Sequence, residues 1–125
     1  MFFGLQGYGR NGRDMEDGLI KKWEAMAARF QELTNQLMDP TVLNQPGMIH
    51  KLNKERTELE EPAQEFAAYS QAQKQLHEVT VMLQDSGTGA DMKQLFAEES
   101  EHLTQQLLDI EARAKDFLTP KDPRD

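Results

Sequence analysis

The sequence predicts an all-α protein, and three observations support this fold class. Good helix formers dominate the composition, whereas only three Val and three Ile occur among 125 residues. Three segments repeat their apolar residues at steps of three and four, which is typical of amphipathic helices. Short Gly-, Pro- and Asn-containing segments separate them. Because such helices are marginal alone in water, we expect an antiparallel three-helix, coiled-coil-like bundle with one long middle helix.

The first helix is predicted from Asp17 to about Met38, and either Asp17 or Asp14 can serve as its cap. Asp39 and Pro40 then end it, because proline cannot continue the hydrogen-bond ladder and restricts the residue before it. The segment 41–47 follows as a loop or short turn. The apolar stripe of this helix consists of Ile20, Trp23, Ala27, Phe30, Leu33 and Leu37.

The second helix is predicted from about Met48 to Gln84, with Pro62 inside it. A proline in a helix interior costs about 3 kcal/mol, so the segment is either one kinked helix or two helices that meet at Pro62. The stripe keeps its phase across Pro62, which favours the kinked helix. Its apolar members are Ile49, Leu52, Leu59, Ala63, Phe66, Leu76, Val79 and Leu83, and in its weaker middle the polar Arg56, Ser70 and Gln73 share the predicted face.

The third helix is predicted after a turn at 85–89 and ends near Leu118. Its stripe consists of Met92, Phe96, Leu103, Leu107, Ile110, Ala114 and Phe117. Methionine side chains are adaptable, so we expect five of them to fill gaps in the core: Met26, Met38, Met48, Met82 and Met92.

The predicted organisation is a flexible extension (1–16), a helical bundle (17–118) and an exit linker (119–125). Four glycines in the first thirteen residues disfavour a helix, and the arginines follow the apolar residues, unlike a secretory signal. An acid-poor start with two arginines also fits a mitochondrial leader, but the glycines do not fit its amphipathic helix. A disordered extension is therefore the preferred interpretation.

The composition also limits the kinds of site and the classes of partner that the chain can have. The absence of Cys excludes a disulfide scaffold, a thiolate metal site and a Cys nucleophile. No apolar run approaches the roughly 20 residues that span a bilayer. The net charge of −8 disfavours binding to nucleic acid and to anionic membranes, so a basic or neutral protein surface is the expected partner.

No constellation of residues predicts catalysis, a cofactor or a metal. Glu99 and His102 form one Glu-x-x-His motif, but carboxylate-bridged metal bundles need two such motifs, so His102 is interpreted as a surface residue. His77 lacks the second His of a zinc metalloprotease helix, and residues 87–89 lack the Lys and the preceding strand of a phosphate loop. We expect no catalytic, cofactor-binding or metal-ligating residue and no enzymatic activity.

Residues 118–125, Leu-Thr-Pro-Lys-Asp-Pro-Arg-Asp, resemble the Leu-Leu-Pro-Lys-Asp-Pro-Asn-Asp junction of bacterial peptide chain release factors of the type that reads UAA and UAG. Residues 29–33 and 37–42 are similar to the family pattern Arg-Tyr-x-Glu-Leu…Leu-x-Asp-Pro-x-Val. Residues 52–55 and 59–62 are similar to Leu-x-Lys-Glu…Leu-Glu-Pro, with one extra Glu before Pro62. Residues 98–108 match the Glu-rich third helix, whereas residues 1–16 have no clear counterpart.

This resemblance implies a role. It identifies the chain with the N-terminal helical domain of the family, which docks near the stalk base of the large ribosomal subunit and contacts the GTPase that recycles release factors. It implies a cytoplasmic protein without sequence-specific nucleic-acid binding. The family's Pro-x-Thr stop-codon motif and Gly-Gly-Gln hydrolysis motif do not occur here, so the linker leads toward a missing decoding domain. The alternative is a free-standing helical interaction or regulatory module.

Overall fold

The computed structural model describes residues 17–119, in which all regular elements are helices. They are α1 (Asp17–Gln36), α2 (Pro40–Leu43), α3 (Pro46–Gln84) and α4 (Ala90–Leu118). The predicted all-α fold is thereby confirmed. The predicted extension (1–16) and most of the exit linker (120–125) lie outside the described residues. None of the helices between residues 17 and 119 is long and apolar enough to cross a membrane.

The connection between α1 and α3 is more ordered than the predicted loop, because it contains the short helix α2. The carboxylate of Asp39 caps α2 by accepting a hydrogen bond from the backbone N–H of Thr41 at 2.9 Å. Pro40 occupies the first position of α2, where the missing N–H has no cost. α3 then begins at Pro46, two residues earlier than predicted.

α3 runs without a break through Pro62, so the prediction of a single helix is confirmed and the two-helix alternative is wrong, whereas the kink at Pro62 stays a prediction. Pro62 is buried, and its carbonyl oxygen accepts a hydrogen bond from the indole Nε1 of Trp23 at 2.9 Å. A buried tryptophan N–H needs such a partner, so the contact joins α1 to α3 at the proline.

α3 lies between the other two long helices. Trp23 reaches Pro62 and Arg29 reaches Glu55, so α1 runs antiparallel to the first half of α3. Tyr69 reaches Glu111, and α4 runs antiparallel to the second half of α3. The contact between α1 and α4 is much smaller and includes the edge-to-face packing of Trp23 on Phe117.

The core therefore lies where the three helices meet. Its buried members are Trp23, Tyr69, Ile110, Ala114 and Leu118. The Trp23 ring packs at 4.9 Å, centroid to centroid, against Tyr69 and edge-to-face at 5.3 Å against Phe66. Aromatic pairs in these geometries add about 0.5–1.5 kcal/mol beyond their burial. The interpretation of Trp23 as a core residue is confirmed.

Most residues of the predicted stripes face the interior, but the prediction for the middle of the α3 stripe is wrong. Ser70 and Gln73 are exposed, whereas Tyr69 and Ala72 are buried. The expectation for the methionines also fails in part. Met26 packs against the core, whereas four others expose more than a third of their surface: Met38, Met48, Met82 and Met92.

Two arginines link the outer helices to α3. Arg29 of α1 donates to both carboxylate oxygens of Glu55, at 2.7 and 2.9 Å, and also contacts Glu32. Arg113 of α4 donates to Glu65 at 2.5 and 3.1 Å. Hydrogen bonding to Glu55 is the main reason that the pKa of Arg29 is raised, and bonding to Glu65 raises that of Arg113. The partner Glu55 has a lowered pKa for the same reason.

Candidate functional site

The α3–α4 end of the molecule carries an exposed groove with an apolar floor and an acidic edge. It is lined by Val79 of α3 and by Leu95, Phe96, Glu98 and Glu99 of α4. α1 packs along the other half of α3, so among residues 17–119 no third long helix covers this end. One face of each helix is therefore covered, and apolar residues beside that face stay in solvent.

The apolar surface continues beyond the groove lining. Met82 lies one helical turn after Val79, and Met92 lies one turn before Leu95, so each adjoins the groove along its own helix. Leu95 is 56% exposed and Met92 46%. We call Val79, Met82, Met92, Leu95 and Phe96, with the flanking Glu98 and Glu99, the tip groove.

The charge around the tip groove is strongly negative. Between residues 74 and 101 there are six acidic side chains and only two basic ones, Lys74 and Lys93. Glu98, Glu99 and Glu101 are all exposed. A surface that combines apolar area with acid favours a basic partner with its own apolar residues.

The side chain of Asp85 stabilises the turn between α3 and α4. The Asp85 carboxylate accepts a hydrogen bond from the Gly87 N–H at 2.9 Å, and the Asp85 carbonyl accepts one from the Thr88 N–H at 3.1 Å. This local bonding is typical of an Asx turn. It shapes the short connection between the two helices.

The opposite end of the molecule carries a different apolar patch. At the α1–α3 end, Met38, Leu43 and Met48 are exposed, with Met38 at 70%. The exposed Lys51 and Lys54 follow within two turns of α3. This patch therefore differs from the tip groove in its charge, not in its apolar character.

The histidines that the sequence analysis considered as metal-binding or catalytic residues do not lie together in the structure. His102 lies exposed on α4, which confirms its interpretation as a surface residue, and His50 and His77 are exposed on α3. Among residues 17–119 no group of three or more His, Asp or Glu side chains is placed to hold a metal ion.

The sequence analysis noted the Glu-rich start of the third helix but missed the apolar part of this surface. The run of Glu98, Glu99 and Glu101 was visible, whereas Leu95 lies just outside the predicted stripe of α4. Met82 and Met92 were assigned to the core.

Comparison with known proteins gives the family. The model of the PCRF domain matches residues 26–125. Curated relatives named "Peptide chain release factor 1" include that of Geobacillus sp. (strain WCH70), which is 33% identical over 107 residues. The relative from Lachnoclostridium phytofermentans is 36% identical and that from Exiguobacterium sp. 33% identical over the same length. No solved structure matches the chain.

These alignments cover 86% of the chain but only 30% of each relative, so the chain spans about a third of the length of the proteins it matches. The family match includes the second half of α1, from residue 26, and all of α2, α3 and α4, so it covers the tip groove and every core residue except those at the start of α1. The resemblance stated from the sequence motifs is confirmed. The chain belongs to the PCRF domain family and, within it, is similar to the release factor 1 type.

Proposed function

We propose that the chain is the N-terminal ribosome-docking domain of a translation termination factor, without the segments that read stop codons and promote peptidyl-tRNA hydrolysis. The observation that carries this proposal is the PCRF match over residues 26–125, together with relatives named as release factors of which the chain covers 30%. The domain supplies position and affinity to the decoding and hydrolysis domains that follow in such factors. Its place of action is the cytoplasm.

The docking partner is a protein surface near the base of the large-subunit stalk, and the tip groove is the surface that meets it. Its exposed Leu95 and Met92 supply apolar contact, and the glutamates beside them favour a basic partner. Exposed ion pairs contribute only about 0.2–1 kcal/mol each, so charge chiefly guides encounter and orientation. The GTPase that recycles release factors is a second partner of the same domain.

Affinity of the isolated chain is low under this proposal. When several domains of one protein bind the same target, affinity rises by about 10²–10⁴, and a single domain lacks that gain. We expect micromolar binding to the large subunit, no binding to the isolated small subunit, and weakening as salt shortens the screening length from about 10 Å at 0.1 M to about 3 Å at 1 M.

The test is charge reversal with a matched control. Glu98→Lys, Glu99→Lys and Glu101→Lys together should weaken co-sedimentation with large subunits at least severalfold. The control carries Glu58→Lys, Glu60→Lys and Glu61→Lys, which change three exposed glutamates of α3 and alter the net charge equally. Circular dichroism should show unchanged helicity in both variants.

The control separates local docking from bulk charge. If both variants bind large subunits equally weakly, net charge alone explains the effect. If the α4 variant binds as well as the parent chain, the tip groove is not part of the interface. Recovery of the small subunit instead of the large one would contradict the proposed site on the ribosome.

A further inference from the structure

The exposed apolar residues at the α1–α3 end have no part in the docking proposed for the tip groove. Met38 and Leu43 lie in the connection between α1 and α3, and Met48 lies in the first turn of α3. Lys51 follows Met48 by one turn and Lys54 by two, and both lysines are exposed. We call these five residues the basic patch. Its methionines are adaptable side chains, which suit a contact with another protein surface.

The charge of the basic patch is opposite to that of the tip groove. Between residues 36 and 54 there are two lysines and one acidic side chain, Asp39, whose carboxylate already accepts a hydrogen bond from the N–H of Thr41. Between residues 74 and 101 acidic side chains outnumber basic ones by six to two. The two surfaces are therefore both apolar and complementary in charge, a combination that favours association and fixes its orientation.

The two surfaces cannot meet within one chain. α3 is one unbroken helix that carries Met48 near its start and Val79 near its end. These residues are 31 positions apart, which is about 46 Å at 1.5 Å per residue. A contact between the basic patch and the tip groove therefore requires two copies of the chain.

Charge also selects among the ways in which two copies can use these surfaces. Two tip grooves face to face would bring Glu98 and Glu99 of both copies together. Two basic patches would do the same with Lys51 and Lys54. Like charges placed opposite each other disfavour both of these pairings, so the tip groove against the basic patch is the favoured one.

We propose that the tip groove of one copy binds the basic patch of a second copy, with apolar side chains of the patch on Leu95 and its lysines beside Glu98 and Glu99. The interface joins two unlike surfaces, so each copy keeps one of each for a further contact, and association can continue head to tail. Surfaces of this size form weak interfaces. The contact does not rest on the proposed function, although it covers the surface that docking would use.

Charge reversal at each surface provides the test, and it needs only the free chain. Sedimentation equilibrium covers concentrations from about 10 μM to about 1 mM, the range of dissociation constants expected for a small interface. The average mass of the parent chain should rise with concentration. The tip variant, Glu98→Lys with Glu99→Lys, should remain a monomer, as should the patch variant, Lys51→Glu with Lys54→Glu.

Mixing the two variants tests whether the surfaces pair with each other. In an equimolar mixture, the native lysines of the tip variant face the native glutamates of the patch variant, and the two reversed surfaces are again opposite in charge. The mixture should therefore associate as strongly as the parent chain, although neither variant associates alone.

Net charge alone predicts a different pattern. The parent chain has a net charge of −8, so the tip variant has −4 and the patch variant −12. Weaker overall repulsion would make the tip variant associate more strongly than the parent chain, not less. Glu58→Lys with Glu60→Lys is the matched control, because it also gives −4 but changes exposed residues outside both surfaces. It should associate at least as strongly as the parent chain.

Four results would overturn the proposal. The parent chain could remain a monomer at the highest concentration, the tip variant or the patch variant could associate like the parent chain, or the mixture of the two could remain monomeric. Circular dichroism of each variant should show unchanged helicity, since every substituted residue is exposed. Ribosomes are absent from these measurements, so failure of the self-contact and failure of the proposed function are distinguishable.

Discussion

At the scale of single residues, two arginines connect different helices to the same one. Arg29 and Arg113 each donate two hydrogen bonds to one glutamate of α3, Glu55 and Glu65 respectively. Such two-point arginine–carboxylate contacts fix geometry as well as distance. Glutamates in this acid-rich stretch of α3 thus divide into those that bind another helix and those that face solvent, such as Glu58 and Glu60.

The Glu55 contact predicts how stability depends on pH. Because Arg29 lowers its pKa in the folded chain, Glu55 stabilises the fold above its ordinary pKa near 4.5, and this contribution is lost as pH falls through the lowered value. Glu55→Gln should therefore be less stable than the parent chain at pH 7. The difference should shrink as the pH falls below about 4.5. Urea unfolding followed by circular dichroism at several pH values measures it.

Glu60→Gln is the matched control, since Glu60 is an exposed carboxylate of the same helix outside the two arginine contacts. Its effect at pH 7 should be smaller than that of Glu55→Gln. A Glu55→Gln deficit that stayed constant down to pH 3 would show that the contact does not depend on the ionised carboxylate.

At the scale of elements, the middle of α3 shows how a helix selects its inner face. Two paths of three- and four-residue steps lead from Phe66 to Leu76, one through Ser70 and Gln73 and the other through Tyr69 and Ala72. The structure uses the second path. Tyr69 packs on Trp23, and its hydroxyl donates to the buried Glu111 at 3.2 Å.

This choice predicts opposite results for two neighbouring substitutions. Ala72→Glu places a carboxylate at a position that is 2% exposed, and it should lower the free energy of unfolding by at least about 2 kcal/mol. Gln73→Glu adds the same group at an exposed position and should change it by no more than about 0.5 kcal/mol. Urea unfolding of both variants provides the measurement, and the reverse ranking would restore the path through Gln73.

Sequence reasoning predicted what periodicity alone determines. The stripe of α1, the continuity of α3 through Pro62 and the core position of Trp23 all follow from spacing. The path through Tyr69 could not be predicted from spacing, because a tyrosine suits surface and core equally until a buried acceptor for its hydroxyl is known. The exposure of Met82 and Met92 could not be predicted either, since it depends on how far α1 extends along the pair formed by α3 and α4.

At the scale of the whole described molecule, residues 17–119, α3 extends beyond α1 at the α3–α4 end and beyond α4 at the α1–α3 end. The α3–α4 end is acidic and apolar, whereas the α1–α3 end places lysines near its exposed methionines. The two ends therefore suit different partners.

The division of labour proposed for the family predicts the activity of the isolated chain. Purified 125-residue protein should give no stop-codon-dependent release of peptide from ribosomes, because neither Pro-x-Thr nor Gly-Gly-Gln occurs in its sequence. Release of labelled formyl-methionine from ribosomes programmed with UAA or UAG measures this. A full-length release factor is the positive control, and release above background by the chain alone would contradict the prediction.

Trp23 is the one tryptophan of the sequence, and it lies fully buried where the three long helices meet. Its emission is therefore an intrinsic reporter of that junction and is silent about the two ends. Circular dichroism, by contrast, sums over every helical turn. Unfolding curves from the two signals would superimpose if the molecule melts as one cooperative unit and would separate if the ends fray first. The position of a single indole thus makes this chain suited to measuring cooperativity in an elongated helical domain without any added label.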